Sequence, residues 1–195
     1  MLSLLTDPLL TLIYPQRCGS CGHLVEKAFD GGACRACWMT TRIFRPSDPV
    51  CSKCGAPLVS ISDRSVSTCK QCDGDHYDAA RAAGVYEKAL SASVLRLKQS
   101  EHLPGVIGQL LRFAFDSMPL PKDLTIVPVP LSKQRLLERG FNQAALLARD
   151  IARHSRRPLD EFSLARKQDT LMHRAAMDRR AREASFLNVY HVVRP

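Results

Sequence analysis

The chain opens on a mostly apolar stretch, MLSLLTDPLLTLIYP, interrupted by Asp7 and Pro8. That pattern predicts an amphipathic lead-in helix over residues 1–17, packed by one face on the rest of the protein. Residues 18–76 then hold few large apolar side chains, among them Leu24, Val25, Phe29, Trp38, Ile43 and Phe44. From about Tyr77 the pattern alternates between helix-like and strand-like runs, which places a boundary between Asp73 and Tyr77 and a second domain over 77–195. Residues 79–86 read as a short strand. Leu90, Val94, Leu95 and Leu97 mark one face of a helix, and Val106, Ile107, Leu110, Leu111 and Ala114 mark a second. Residues 125–131, TIVPVPL, read as a short buried strand whose Pro128 and Pro130 mark its exit, because proline has no amide for a ladder. A loop over 132–142 follows, and Asn142 stands as the cap of a helix through Leu146, Leu147 and Ile151.

The apolar-poor segment holds all eight cysteines, as four CxxC pairs: Cys18/Cys21, Cys34/Cys37, Cys51/Cys54 and Cys69/Cys72. Each pair puts two thiolates on one tight turn, and two pairs supply the four sulfurs at roughly 2.3 Å that a tetrahedral zinc ion prefers. Eight ligands therefore predict two structural zinc sites. Intervals of 12, 13 and 14 residues between successive pairs suit zinc ribbons. Gly22 and Gly55, directly after Cys21 and Cys54, let the turn's amides face the sulfurs. Adjacent pairing would give two consecutive ribbons and interleaved pairing a cross-braced finger; the spacing favours the consecutive arrangement. With so little apolar surface, metal binding here is largely folding. His23 and His76 lie near cysteine pairs, but eight thiolates already fill two tetrahedra, so both read as surface residues. His102, His154 and His191 have no recognisable partner in the sequence.

A disulfide framework would require an export signal. The N-terminal stretch lacks a basic flank and a cleavage site of small residues, and is too short to span a membrane. A reducing, cytoplasmic location is expected, without a membrane span. The formal net charge is +9; eight metal-bound thiolates subtract eight and two zinc ions return four, so a moderately basic chain remains. Positive charge gathers over residues 164–182, with Arg166, Lys167, Arg174, Arg179, Arg180 and Arg182 against Asp169 and Asp178. Such a segment attracts phosphates, on nucleic acid or on a small sugar phosphate.

A strand, a basic glycine-containing loop and a helix in succession form the plan of a phosphate site. Lys133, Arg135 and Arg139 supply charge, Gly140 lets backbone approach an anion, and the amides after Asn142 lie at a helix N-terminus.

Paired cysteine knuckles, a segment containing Lys98, VPVPL at 127–131 and RGFNQA at 139–144 together resemble the ComF family of competence-associated proteins, over essentially the whole chain. The resemblance implies an α/β architecture: a small double zinc ribbon joined to a Rossmann-like type I phosphoribosyltransferase domain. It places the loop containing Arg135, Arg139, Gly140 and Asn142 on the pyrophosphate side of a phosphoribosyl pyrophosphate pocket. In an intact enzyme of that kind the two arginines would stabilise departing pyrophosphate, with Mg2+ bridging its oxygens. A flexible basic loop would carry Thr170, His173 where the family usually has Gln, and Arg182, followed by Ser185 where Asn is usual.

The family's acidic phosphoribosyl-binding signature, DDxxTTG, occurs nowhere in this sequence. The expectation is an incomplete, C-terminally truncated phosphoribosyltransferase domain without transfer activity, binding Mg2+ and phosphoribosyl pyrophosphate only if completed. The partners implied are competence or DNA-uptake proteins, with phosphoribosyl pyrophosphate or pyrophosphate as small ligand. The alternative is a zinc module that binds single-stranded DNA or a protein partner through the basic 164–182 segment. Trp38, Phe44 and Tyr77 are the candidate stacking residues for that role, and each reads more readily as core.

Overall fold

The computed structural model describes residues 15–27, 30–58, 68–72, 74, 76–167, 181, 184–185 and 188–193. The expected lead-in helix up to residue 14, Thr170, His173 and Arg182 lie outside the described residues. The chain divides into two compact units, Met1–Pro121 and Lys122–Pro195. The expected boundary near Asp73 to Tyr77 thus falls inside the first unit.

In the first unit, two hairpins built on one plan carry the first and third CxxC pairs. Arg17 bridges antiparallel to Leu24 in one, and Val50 to Pro57 in the other. Cys18 N donates to His23 O at 2.7 Å and Cys51 N to Ala56 O at 2.8 Å, while Gly22 N and Gly55 N each reach back to the first cysteine's carbonyl at 2.9 Å. Both glycines have positive φ, 77° and 71°, the left-handed conformation that closes such a turn and that glycine adopts without steric cost. The remaining pairs sit on helical turns: Cys34 and Cys37 at the start of α1 (Arg35–Thr40), and Cys69 and Cys72 about the 3-10 turn Lys70–Cys72.

Helix α1 packs on α2 (Lys88–Arg96). Lys88 Nζ donates to Thr40 O at 3.0 Å and Arg42 N to Glu87 Oε1 at 3.1 Å, so the end of one helix is tied to the start of the other. The buried face of α2 is Ala89, Ala92 and Ser93, with Leu97 just beyond it, while Leu95 is exposed. This corrects the expected stripe of large residues. The reason is a close backbone approach: a Cβ on Gly19 would lie 3.1 Å from Ala92 Cβ, and one on Gly32 3.0 Å from Ala92 O. Only small side chains fit there. Helix α3 (Gly105–Asp116) buries Ile107, Gly108 and Ala114.

Residues 79–86 form no regular strand. Gly84 makes one antiparallel bridge to Ile43, flanked by Phe44 N to Ala83 O at 3.0 Å and Val85 N to Arg42 O at 2.9 Å. The pairing ends because the chain turns at once into α2, with Glu87 N returning to Val85 O at 2.8 Å.

In the second unit the expected strand over 125–131 is reduced to one parallel bridge, Ile126 to Leu159, with Ile126 N donating to Pro158 O and accepting Asp160 N at its carbonyl. Pro128 and Pro130 remove the donors that would extend it. The expected loop after it contains α4 (Lys133–Arg139), capped by Ser132, whose side chain accepts Arg135 N at 3.3 Å. Gly140, at φ 79°, ends that helix, and α5 (Gln143–Ser155) buries Ala145, Ala148 and Ile151 along one face. Arg149 holds Glu161 through two contacts of 2.7 Å. Strands β1 (Leu164–Arg166) and β2 (Tyr190–Val192) pair antiparallel, Leu164 opposite Val192. Among the described residues the molecule is mixed helix with this small two-stranded sheet, and the expected parallel Rossmann-like sheet is represented by a single bridge.

Candidate metal centre and basic segment

The eight thiols gather into two tetrads, Cys18, Cys21, Cys34 and Cys37 in one and Cys51, Cys54, Cys69 and Cys72 in the other, with the sulfurs of each all within 4.8 Å of one another. First pair joins second and third joins fourth, the consecutive arrangement. Cys21 Sγ stands 3.5 Å from Cys34 Sγ; in the second tetrad Cys51 to Cys72 is 3.7 Å, Cys54 to Cys69 3.6 Å and Cys69 to Cys72 3.4 Å. Four sulfurs bound to one tetrahedral zinc at ~2.3 Å stand about 3.8 Å apart, so both tetrads match that ion closely. Thiolate-only donor sets select soft or borderline metals over Mg2+ or Ca2+.

Backbone amides surround the sulfurs. Ser20 N approaches Cys18 Sγ at 3.4 Å; Cys54 N and Cys69 N approach Cys51 Sγ at 3.5 and 3.3 Å, and Ala56 N approaches Cys54 Sγ at 3.4 Å. Burial works against ionising Cys18, but the amides of Cys34, Cys21 and Ser20 prevail and bring its thiol down to about 6. Cys51 behaves alike: burial opposes, the amides of Cys54, Cys69 and Lys53 prevail, and it too falls to about 6. Their neighbours move the other way. The His23 amide favours a Cys21 thiolate, yet the thiols of Cys37, Cys34 and Cys18 push it up to about 12. Burial and the thiols of Cys54 and Cys69 push Cys72 up to about 12. Cys18 and Cys51 thus ionise readily while Cys21 and Cys37 in the first tetrad and Cys54 and Cys72 in the second are pushed up, an electrostatic situation that a divalent cation resolves by stabilising the thiolates together.

Three further groups touch these sites without being evident from the CxxC spacing. His23 Nδ1 lies 3.4 Å from Cys21 Sγ. Tyr77 Oη lies 3.8 Å from Cys72 Sγ, with Lys53 Nζ 5.3 Å above its ring. Tyr77 is therefore a neighbour of the metal site, and Trp38 packs on the core with its Nε1 donating to Asp30 O at 2.7 Å. Phe44 lines a cavity of about 160 Å³ with Arg45, Val50, Arg81 and Phe113.

In the second unit, Arg135 and Arg139 fall one helical turn apart on α4, both half-buried, and Gly140 and Asn142 follow within the same turn region. Asn142 Oδ1 accepts Ala144 N at 3.0 Å and its Nδ2 donates to Val129 O at 3.0 Å, tying the start of α5 to the VPVPL segment. Arg139 Nη1 donates to Gln143 Oε1 at 3.1 Å. Among the described residues no cluster of potential metal ligands beyond the two tetrads accompanies this segment. No helix among the described residues is long and apolar enough to cross a membrane.

The family model described as "Double zinc ribbon domain" matches residues 9–73. A double zinc ribbon heads this chain. The chain is also similar to competence protein ComFC of Bacillus subtilis (strain 168), 25% identical over 177 residues, a match covering 78% of this chain and 74% of the relative. The relative and the ribbon together support the resemblance to the ComF family, of which zinc binding and competence are features. No solved structure matches the chain.

Proposed function

We propose that this is a ComF-like protein of the DNA-uptake machinery, working in a reducing compartment, with two zinc ions holding its head and an anion-binding second unit of phosphoribosyltransferase descent. The observation that carries the reading is the union, in one chain, of two cysteine tetrads with similarity to a competence protein over most of its length. The Rossmann-like character of the second unit is part of the same proposal, supported by the parallel bridge Ile126 to Leu159 and by the succession of VPVPL, α4 and α5.

The anion site is centred on Arg135 and Arg139. Four residues apart on a helix, they present two guanidinium groups to one side. The hydrogen bond from Arg139 to Gln143 is one that a phosphate oxygen can replace. Pyrophosphate and phosphoribosyl pyrophosphate are the ligands proposed. The proposal for these residues is anion binding.

Calorimetric titration of the zinc-loaded chain with pyrophosphate and with phosphoribosyl pyrophosphate tests it. Binding that is lost in Arg135→Ala and Arg139→Ala supports the reading; no binding of either ligand refutes the anion site. Binding of a single-stranded oligonucleotide that weakens steeply with salt, uncompeted by pyrophosphate, would favour the nucleic-acid module instead. Deleting the gene and measuring transformation frequency tests the role in DNA uptake.

A further inference from the structure

The two tetrads share a ligand plan but not an environment. In the first knuckle, residues 19–24 are all exposed, including Cys21, the one cysteine of the eight that is. In the second, residues 52–56 are buried or half-buried. A Cβ added to Gly55 would lie 2.9 Å from Ala80 O and 3.3 Å from Arg81 Cα, so residues 80 and 81 lie over that turn. At Gly22, the equivalent position, a Cβ would meet nothing within 4 Å. Tyr77 Oη adds a further contact to Cys72 in the second site. The first site's outer contact is His23, itself exposed.

Reaction at a zinc-bound thiolate requires access to the sulfur, and oxidation of cysteine follows thiolate character and exposure. Zinc confers thiolate character on all eight sulfurs, so exposure is what distinguishes them. Resting on the zinc reading above, we infer that Cys21 is an oxidation site at which the first tetrad, and not the second, opens to a two-electron oxidant of the peroxide class.

The step balances within the site. The Cys21 thiolate attacks one oxygen of hydrogen peroxide, breaking the O–O bond to give a sulfenic acid and hydroxide. The Cys34 thiolate, 3.5 Å away, then attacks the Cys21 sulfur and displaces a second hydroxide, forming a Cys21–Cys34 disulfide. Two thiolates lose two electrons, one peroxide gains them, and the hydroxides take protons from solvent. Cys18 and Cys37 alone do not complete a tetrahedron, and zinc departs. The consequence reaches α2, because Cys18, Cys34 and Cys37 share one core cluster with Ala89 and Ala92, against which Trp38 packs.

The test uses the full chain loaded with zinc. Its stoichiometry is measured first, and a value other than two overturns the zinc reading and this inference with it. Hydrogen peroxide is then added in the presence of a chromogenic zinc chelator, with alkylation and peptide mass spectrometry to map the cysteines. The expected result is one equivalent released at least about tenfold faster than the other, a Cys21–Cys34 disulfide in that phase, and a concurrent change in the fluorescence of Trp38, the single tryptophan. Release of both equivalents together, first oxidation in the second tetrad, or a first disulfide that excludes Cys21 overturns the inference while leaving the zinc reading intact.

Discussion

Thr41 joins a metal-site cysteine to a helix of the core: its hydroxyl donates to Cys37 O at 2.7 Å and accepts Ala89 N at 3.1 Å. Thr41 is buried, and Ala89 is fully so. The hydroxyl thus satisfies the carbonyl of a ligand and one of the orphan amides in the first turn of α2 with a single atom. Thr41→Val keeps the shape and removes both bonds, leaving a buried donor and acceptor unpaired. A loss of about 1–3 kcal/mol in unfolding free energy is expected by denaturant titration of the zinc-loaded protein. Thr41→Ser should recover most of it.

Ser93 presents the reverse case. Its side chain is fully buried and its Oγ has no hydrogen-bond partner among the described residues. The hydroxyl contributes a desolvation cost without return. Ser93→Ala is expected to leave stability unchanged or raise it by up to about 1 kcal/mol, read as a shift in denaturation midpoint. A marked destabilisation would show that the hydroxyl is satisfied in solution.

The two knuckle glycines should respond unequally to alanine. At Gly22 only the positive φ is penalised, about 1–2 kcal/mol. Gly55→Ala carries that strain plus a Cβ 2.9 Å from Ala80 O, a backbone atom. The loss should therefore be larger at Gly55, and in competition with a chelator it should fall on the second zinc. Equal effects on both sites would contradict the difference in packing.

Chelation separates the units. The knuckle amides that pair within residues 16–25 and 49–58 are expected to lose hydrogen-exchange protection when zinc is stripped, since the ligands hold segments with few large apolar side chains. Amides in α5 belong to the other unit, which buries its own helix face, and should keep theirs. Uniform loss along the whole chain would mean that the metal stabilises both units.

Glu26 supplies a pH dependence. Its carboxylate accepts Arg35 N at 3.0 Å, at the start of α1, and that bond holds its pKa below the ordinary glutamate value. A lowered folded pKa means stability that is fully present above the usual carboxylate range and lost as pH falls through the folded value. The stability difference between wild type and Glu26→Gln should be constant near neutrality and shrink below about pH 4.3. A difference that grows in acid would reverse the assignment.

Local chemistry made much of this protein legible beforehand. The four CxxC pairs, the glycines after two of them, the Asn142 cap and the helices over 88–96, 105–116 and 143–155 all rest on spacing or on groups close in sequence. The pattern was less informative where a neighbour distant in sequence decides the outcome. Leu90, Val94 and Leu95 are the larger apolar side chains of α2, yet the helix buries Ala89, Ala92 and Ser93, because the glycine backbone of residues 19 and 32 comes against it. Residues 125–131 have strand composition, but ladder pairing needs a partner and donors, and two prolines withdraw the latter. Helix α4 was missed because its start depends on one serine hydroxyl and its end on Gly140, with little apolar periodicity between them.

From the sequence alone come the eight candidate metal ligands, a number that fills two tetrahedra, and the basic segment after VPVPL, since each depends on residue type at short range. The consecutive pairing that the spacing favours is the one the tetrads adopt, but which of the two knuckles faces solvent and which carbonyl Thr41 holds were decided only in three dimensions. Those are relations between segments as far apart as Thr41 and Ala89, set by burial and hydrogen bonding that no local pattern contains.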